Sequence, residues 1–309
     1  MTDQDHFEQL LSKLPDAVIL LDDSQKVTYA NLAAINLIGN GNADRFVGKT
    51  FGQPIVHGET TQIQLLTPKG LKHGEMRVSQ IKLFDTSHTL VIIRDISDLI
   101  AIRDQYRDIL LSTIETLSTT SEVHDPYTAG HEHRVACLSY AIAKKMGYDM
   151  QFCEGLYVAG LLHDIGKLAI PAEILTKPST LKPQEYELIK THARVGYDIL
   201  KRVELPWPVA EIIYQHHERC DGSGYPRGLR SNEILEQAKV MAVADSCEAM
   251  MNSRPYRQGL GQDYALKTIM EESGIRLDAD ACKTCVELFE KQLFNFDDPA
   301  PLLTATQFS

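Results

Sequence analysis

Two adjacent histidines, His216 and His217, stand directly before a glycine-rich loop that ends at Pro226. Imidazole is the commonest protein ligand of metal ions near neutral pH, because it loses its proton there at little cost. Glycine and proline in the loop allow a turn that would aim both side chains at one cluster. This segment alone predicts a metal site.

Further candidate ligands are widely separated along the second half of the chain, and they are His131, His163, Asp164, His192 and Asp245. The His163–Asp164 dipeptide ends an apolar run over 158–162, and Asp245 follows another apolar run over 240–244. Both runs are expected to be buried, and a buried ionisable group needs a partner that cancels its charge. A metal ion is the strongest candidate for that partner.

Helices are the elements that must position these residues. After Val123 the periodicity predicts an all-α region, with helices over 135–146, 153–162, 183–203, 208–216, 233–251 and 264–272. Pro183 is well placed in the first turn of its helix. Lys167 lies four residues after His163, so on a continuing helix it would face the same site.

The first hundred residues predict a smaller module that contains strands. Apolar and alternating runs indicate strands over 17–21, 27–29, 62–66, 75–83 and 89–93. Asn31 is suited to cap a helix that carries Ala33, Ala34, Leu37 and Ile38. The chain is therefore predicted to be an α+β protein of two domains, with the all-α domain second.

A connecting helix is predicted over 99–117. Apolar or small residues step along it by three and four, at Leu99, Ile102, Tyr106, Ile109 and Thr113. This spacing allows two interpretations. The helix either packs on its own domain or forms one strand of a parallel two-stranded coiled coil between two subunits.

The formal net charge of -11 disfavours a nucleic-acid polymer as partner, since a phosphate backbone requires a basic surface. It does not exclude a small anionic nucleotide held by local cations. No apolar run is long enough to span a bilayer, and the first residues lack the features of a signal peptide, so no membrane partner and a cytoplasmic location are expected. The six cysteines are expected to be free thiols, with Cys282 and Cys285 on one helix face.

Three segments of the second half carry a resemblance to a known family. The segment 163–167, the loop 216–226 with its Gly-Tyr-Pro ending, and the segment 254–257 together resemble an HD-GYP domain of the HD phosphohydrolase superfamily. The resemblance covers residues 123–295. It implies a helical bundle that hydrolyses cyclic dinucleotides, mainly cyclic di-GMP, at a cluster of iron or manganese ions.

The same resemblance implies that the metal ligands are His131, His163, Asp164, His192, His216, His217 and Asp245. Asp164 would bridge two ions. Some family members hold a third ion through a glutamate four residues before the first histidine, but Tyr127 stands there in this chain, so two divalent ions are predicted. The family commonly has aspartate three residues after the last ligand. Here that residue is Glu248, whose longer side chain could still reach a partner of a ligand.

Substrate contacts are implied at Lys167, Tyr225, Arg254 and Arg257, and the predicted catalytic residues are Asp164 and Lys167. Arginines three positions apart can fork onto a phosphate or a guanine edge. A solvated lysine, surface arginines and a packing tyrosine are the structural alternatives. The substrate alternative is mixed cyclic GMP-AMP, and the alternative of another class is a non-catalytic cyclic-dinucleotide receptor that keeps the fold.

Residues 1–98 resemble a PAS domain, through an opening at 16–31 and an ending at 93–97. PAS domains often hold a small ligand or dimerise, and they pass a signal through a C-terminal helix. No residue pattern here identifies the ligand. The predicted organisation is a PAS-like sensory domain with an antiparallel sheet at 1–98, a connecting signalling helix at 99–122 and an HD-GYP catalytic domain at 123–309. A homodimer through the PAS-like domain and the helix is expected.

Overall fold

The computed structural model describes residues 3–39, 41–56, 58–67, 70–83, 86–125, 130–177, 179–252 and 259–298. The chain forms two compact units, residues 1–109 and 110–309. The first is built on an antiparallel sheet and the second is helical, so the predicted α+β two-domain fold is confirmed. Along the described part of the chain, no helix is both long enough and apolar enough to cross a membrane.

The first unit is a five-stranded sheet with two short helices. Helix α1 (Asp3–Ser12), which the sequence analysis did not predict, comes first, and α2 (Leu32–Leu37) follows the second strand. The strands are β1 (Ala17–Leu21), β2 (Val27–Ala30), β3 (Thr60–Thr67), β4 (Gly70–Leu83) and β5 (Thr86–Asp95). They pair antiparallel in the order β2-β1-β5-β4-β3. All five predicted strands are present, and the last three are longer than predicted because polar residues near the turns still pair across the ladder.

The core of the first unit lies against one face of this sheet. Ile19 and Leu21 on β1, Met76 on β4, and Val91 and Ile93 on β5 are at most 1% exposed. Their spacing of two residues along each strand places them on the same face. Burying each such side chain contributes about 1.5–3 kcal/mol, and this holds the sheet to its covering elements.

Asn31 joins three elements of the first unit. Its Oδ1 accepts hydrogen bonds from the backbone N–H of Ala34 (2.9 Å) and of Val18 (3.0 Å). Its Nδ2 donates to the carbonyl oxygen of Leu11 (3.0 Å). The predicted helix cap is confirmed, and the same side chain also ties α2 to β1 and to the end of α1.

Helix α3 (Ser97–His124) is longer at both ends than the predicted connecting helix. It begins in the first unit and ends in the second. The apolar side chains of the predicted seam lie in its first turns and are 51–70% exposed at Leu99, Ile102, Tyr106 and Ile109. Further along, Leu111 and Ile114 are buried in the core of the second unit.

The regular elements among the described residues of the second unit are helices, joined by turns and loops. Its helices are α4 (His131–Met146), α5 (Met150–Leu162), α6 (Ala172–Leu175), α7 (Pro183–Leu200), α8 (Val209–Gln215), α9 (Glu236–Met251), α10 (Gln262–Glu272) and α11 (Ala279–Glu290). The six predicted helices are present with small shifts at their ends. The sequence analysis gave no range for α6 or α11, and it anticipated α11 only as the helix face that carries two cysteines. Helix α11 carries Cys282 and Cys285, which are buried free thiols on one face.

Glycines allow close packing around α5, which contacts α4, α8 and α9. A Cβ on Gly160 would lie 2.5 Å from the Cα of Ala136 in α4. Gly166 stands in the short 3-10 turn Ile165–Ala169 after α5, and a Cβ there would lie 2.0 Å from the carbonyl oxygen of His192. A larger residue at Gly166 would therefore push α7 away from the turn that follows Asp164.

Candidate metal centre

The seven predicted ligands lie on five segments of the second unit. Adjacent ligands stand at two helix ends, where His163 and Asp164 follow α5 and His216 and His217 follow α8. Single ligands on helices are His131 at the start of α4, His192 in α7 and Asp245 in α9. All seven side chains are largely buried, and the most exposed of them, His217, is 19% exposed.

Three imidazole rings are oriented by their own helices. In each of them Nδ1 faces a backbone carbonyl oxygen of the preceding helical turn. The Nδ1–O distances are 2.8 Å from His163 to Gly160, 2.7 Å from His192 to Ile189 and 2.6 Å from His216 to Ile213. Each of these carbonyls belongs to the residue three positions earlier. Because a carbonyl oxygen only accepts, Nδ1 carries the proton and the lone pair on Nε2 is left for the centre.

His131 is oriented by another helix. Its Nδ1 contacts one carboxylate oxygen of Glu248 in α9, and the other oxygen accepts a hydrogen bond from Nε of Arg134 (2.6 Å). The Nε2 of His131 is buried without a hydrogen-bond partner and lies 3.4 Å from Oδ1 of Asp245. A buried nitrogen without a partner costs free energy, and a metal ion at this position would satisfy it. Glu248 thus reaches a predicted ligand, as its longer side chain was expected to allow.

Three groups of donor atoms are compact enough to share metal ions. They are His192 with His216 and His217, His131 with His163 and Asp245, and His163 with Asp164 and His216. Within each group the donor atoms all lie within 4.8 Å of one another. The Nε2 atoms of His192 and His216 are 3.4 Å apart, and a cation between them would relieve the repulsion of two lone pairs. A set of imidazole and carboxylate donors suits divalent first-row metal ions.

Burial and neighbouring charges keep two of these groups, His216 and Asp164, in metal-binding protonation states. Burial, and after it the neighbouring imidazoles of His163 and His192, lower the pKa of His216 to about 3. Burial alone would raise the pKa of Asp164, but Lys167 and the surrounding histidines hold that pKa well below its ordinary value. At neutral pH the centre therefore offers a neutral imidazole at His216 and an ionised carboxylate at Asp164.

Lys167 lies at the edge of the centre. Its Nζ is 2.6 Å from Oδ2 of Asp164 and 3.4 Å from Oδ2 of Asp125. The expectation that Lys167 stands one α-helical turn beyond His163 is wrong, because α5 ends at Leu162 and Lys167 lies in the 3-10 turn. It still reaches the site, since a 3-10 turn aligns residues three apart, here Asp164 and Lys167.

Glu218 holds the loop that follows the histidine pair. It is 2% exposed, and its carboxylate accepts hydrogen bonds from the backbone N–H of Arg227 (2.7 Å) and of Leu229 (2.9 Å). The loop places the ring of Tyr225 with its centroid 4.7 Å from that of His217. Burial raises the pKa of Tyr225, so its phenol is neutral and can donate a hydrogen bond.

Sequence reasoning missed the part played by three buried acidic residues, Asp125, Glu132 and Glu218. Burial raises the pKa of Glu132 to about 8, and the hydroxyl of Ser118 donates a hydrogen bond to its carboxylate. A sequence signal for two of them exists, because Glu132 and Glu218 each follow a predicted ligand directly. An acidic residue beside a buried histidine is a candidate for orienting the segment that carries the ligand.

A cleft of about 670 Å³ lies beside the centre. Its lining includes the predicted ligands Asp164, His192, His217 and Asp245, together with Lys167 and Tyr225. This volume falls within the range of small-molecule sites. The predicted substrate residues Arg254 and Arg257, and Tyr127 at the position of a third-ion ligand, lie outside the described residues.

A helical domain with a buried cluster of histidines and aspartates, preceded by an antiparallel-sheet module, defines the class of this protein. A model of the HD domain family matches residues 115–281, and a PAS domain model matches residues 5–66. Because the first match covers more than half of the chain, the chain belongs to the HD domain family. The resemblance inferred from the three motif segments is confirmed.

Known relatives match somewhat more than half of the chain. A cyclic di-GMP phosphodiesterase of Thermotoga maritima is 41% identical over 61% of this chain and 52% of its own length. A 3'3'-cGAMP-specific phosphodiesterase of Vibrio cholerae is 35% identical over 55% of this chain and 40% of its own length. The chain thus spans about half the length of these curated relatives or less. Among solved structures, an HDG"Y"P protein from Bdellovibrio bacteriovorus aligns over 75% of this chain and 100% of its own, with 16% identity and a TM-score of 0.45.

Proposed function

We propose that this protein is a metal-dependent phosphodiesterase that hydrolyses cyclic di-GMP to linear pGpG and onward to GMP. The observation that carries the proposal is the set of seven histidine and aspartate side chains, which form three groups beside a cleft of nucleotide size. Within each group the donor atoms lie within 4.8 Å of one another. The activities in the names of the two curated relatives support the substrate class.

Two divalent ions, iron or manganese, are the proposed cofactor. When bound, such ions supply a hydroxide near neutral pH and neutralise the phosphodiester. As metal ligands the five imidazoles would be neutral and the two carboxylates, Asp164 and Asp245, would be anionic. A pair of divalent ions would therefore keep a net positive charge. This charge favours an anionic diester in the cleft over a neutral one.

Residues of the cleft would hold the substrate. Lys167 is 11% exposed and, besides its contact with Asp164, lines the cleft where it can donate to a phosphate oxygen. Tyr225 lines the same cleft, and Nζ of Lys190 lies 5.6 Å from its ring centroid. Arg254 and Arg257 remain predicted contacts for the second phosphate or a base.

Reconstitution with metal tests the function. Purified full chain loaded anaerobically with Fe(II) or with Mn(II) is expected to convert cyclic di-GMP to pGpG, and chelation is expected to abolish this activity until metal is restored. Chromatography of the products measures the conversion. Mixed cyclic GMP-AMP, which the name of the second relative suggests, serves as the competing substrate.

The outcomes of this experiment separate the candidates. A higher kcat/KM for mixed cyclic GMP-AMP than for cyclic di-GMP would make the mixed nucleotide the substrate. Binding of both nucleotides without turnover under both metals would contradict the hydrolase and support a receptor.

The first unit and α3 are proposed to regulate the catalytic domain as a homodimer. This proposal keeps the predicted organisation of a PAS-like domain at 1–98, a connecting helix at 99–122 and a catalytic domain at 123–309. Its support is the exposed apolar seam of α3, where side chains 51–70% exposed repeat with heptad-like spacing at Leu99, Ile102, Tyr106 and Ile109. A second copy of the same helix would bury this seam. The PAS ligand stays unidentified, and the cytoplasmic location stays a prediction.

A charge in the seam is expected to dissociate the dimer. Ile102→Glu should shift the sedimentation coefficient of the full chain from dimer to monomer, because two carboxylates would face each other across the seam. Ala101→Glu is the matched control, since Ala101 is exposed on another face of α3 and should leave the dimer intact. A wild-type monomer, or an unchanged dimer in the Ile102 variant, would contradict the proposed interface.

A further inference from the structure

Part of the cleft wall has no role in the metal chemistry. Besides the ligand side, the cleft is lined by Ala249 and Met250 from α9, Thr268 and Glu272 from α10, and Arg276 from the turn after α10. This wall combines apolar atoms with one charged pair. An apolar surface beside a few directed polar groups is the usual arrangement for binding a flat heterocycle.

The charged pair on this wall, Glu272 and Arg276, can form further hydrogen bonds besides its mutual contact. Nη1 of Arg276 lies 2.9 Å from Oε1 of Glu272, and the two side chains are 46% and 30% exposed. A guanidinium has five N–H donors and a carboxylate has two accepting oxygens, so one mutual contact leaves most of this capacity available. Exposed ion pairs contribute little to stability, so this pair is expected to add little to the stability of the fold.

The backbone holds the pair in a fixed position relative to the metal centre. The carbonyl oxygen of Glu272 accepts hydrogen bonds from the backbone N–H of Ile275, Arg276 and Leu277, at 3.1, 3.0 and 3.1 Å. The carbonyl oxygen of Arg276 accepts a hydrogen bond from the backbone N–H of Cys220 (2.9 Å). Since Cys220 follows the histidine pair by three residues, the turn that carries Arg276 is tied to the loop that carries two predicted ligands.

We infer that Glu272 and Arg276 recognise a guanine base of the substrate, an inference that rests on the proposed function. Guanine presents N1–H and N2–H donors beside the acceptors O6 and N7. The carboxylate of Glu272 matches the two donors, and the guanidinium of Arg276 matches the acceptors. Adenine carries an acceptor at N1 and lacks the N2 amine, so the carboxylate would lose its paired contact and meet a lone pair.

Binding of mononucleotides tests this inference without turnover. Calorimetric titration of the metal-loaded full chain is expected to show tighter binding of GMP than of AMP. Glu272→Gln is expected to reduce this preference about tenfold, and Arg276→Met is expected to reduce it similarly. Hydrolysis of bis(p-nitrophenyl) phosphate, a small diester without a base, is expected to be unchanged in both variants, which shows that the metal centre is intact.

Glu287→Gln is the matched control, because Glu287 pairs with Lys291 (2.6 Å) on α11 and does not line the cleft. Its preference for GMP should equal that of the wild type. Equal binding of GMP and AMP by the wild type, or a full preference in the Glu272 and Arg276 variants, would overturn the inference. The two proposals can also fail separately. If the wild type does not hydrolyse cyclic di-GMP but the variants lose the preference for GMP, the proposed hydrolase is contradicted and guanine recognition is still supported.

Discussion

Replacement of Asp164 by asparagine is expected to lower kcat/KM for cyclic di-GMP by about a thousandfold or more. The carboxylate of Asp164 lies among His163, His192 and Lys167, with Oδ1 3.5 Å from Nε2 of His192 and Oδ2 2.6 Å from Nζ of Lys167. It is also the residue predicted to bridge the two ions. Asparagine keeps the shape and removes the charge, so the centre would lose a bridging ligand while Lys167 would lose its closest partner.

Metal analysis and kinetics together check this expectation. The metal content per chain should fall together with the turnover of cyclic di-GMP, while circular dichroism should show a retained helical fold. Asp198→Asn is a suitable control, because Asp198 lies on α7 with His192 but forms exposed pairs with Arg194 and Lys201. A variant at Asp164 that keeps the wild-type metal content and rate would remove Asp164 from the ligand set.

Replacement of Glu248 by glutamine is expected to weaken metal binding by about 10–100-fold, the usual cost of losing a residue that orients a ligand. Glu248 positions the imidazole of His131, because one of its carboxylate oxygens contacts Nδ1 of that ring. Its other oxygen accepts a hydrogen bond from Arg134. A neutral amide would orient the imidazole less firmly and would no longer increase its basicity. The rate at saturating metal should recover much of its wild-type value, because the ligand itself remains.

Titration of the metal-free protein with Mn(II), read out by activity and by calorimetry, measures this effect. Glu248→Asp, which restores the charge on a shorter side chain, should lie between the glutamine variant and the wild type. Glu236→Gln is the matched control, since Glu236 is on the same helix, is exposed and pairs with Lys239. An unchanged metal affinity in the Glu248→Gln protein would show that His131 does not need this partner.

The chemistry of the centre was readable from the chain because it depends on residue types in local contexts. His163–Asp164 follows one apolar run and Asp245 follows another, and all three residues are buried in the structure. The helices themselves follow from a periodicity that spans ten or more residues. The seven predicted ligands accordingly meet in three compact groups, although their assignment as ligands stays a prediction that metal analysis must test.

The predicted and observed elements differ at α11 and at the turn that carries Lys167. The buried face of α11 consists of Ala281, Cys282, Cys285, Leu288 and Phe289. The sequence analysis considered only the two cysteines of this face. The sequence analysis placed Lys167 one helical turn beyond His163, but the polypeptide forms a 3-10 turn after Asp164. Local helix propensity does not predict this change from α-helix to 3-10 turn, because it arises where the turn packs against α7 through Gly166.

The sequence by itself determined which side chains are candidate metal ligands, where all five strands and most of the helices lie, and that an antiparallel-sheet module precedes a helical domain. Only the tertiary structure decided which ring nitrogen faces the centre, that Glu248 supports a histidine 117 positions away, and that Glu272 and Arg276 share a cleft with the predicted ligands. The physical reason is the distance along the chain over which each property is set. Side-chain chemistry and backbone periodicity are set within a few residues, whereas orientation and proximity come from packing between segments that the linear order keeps far apart.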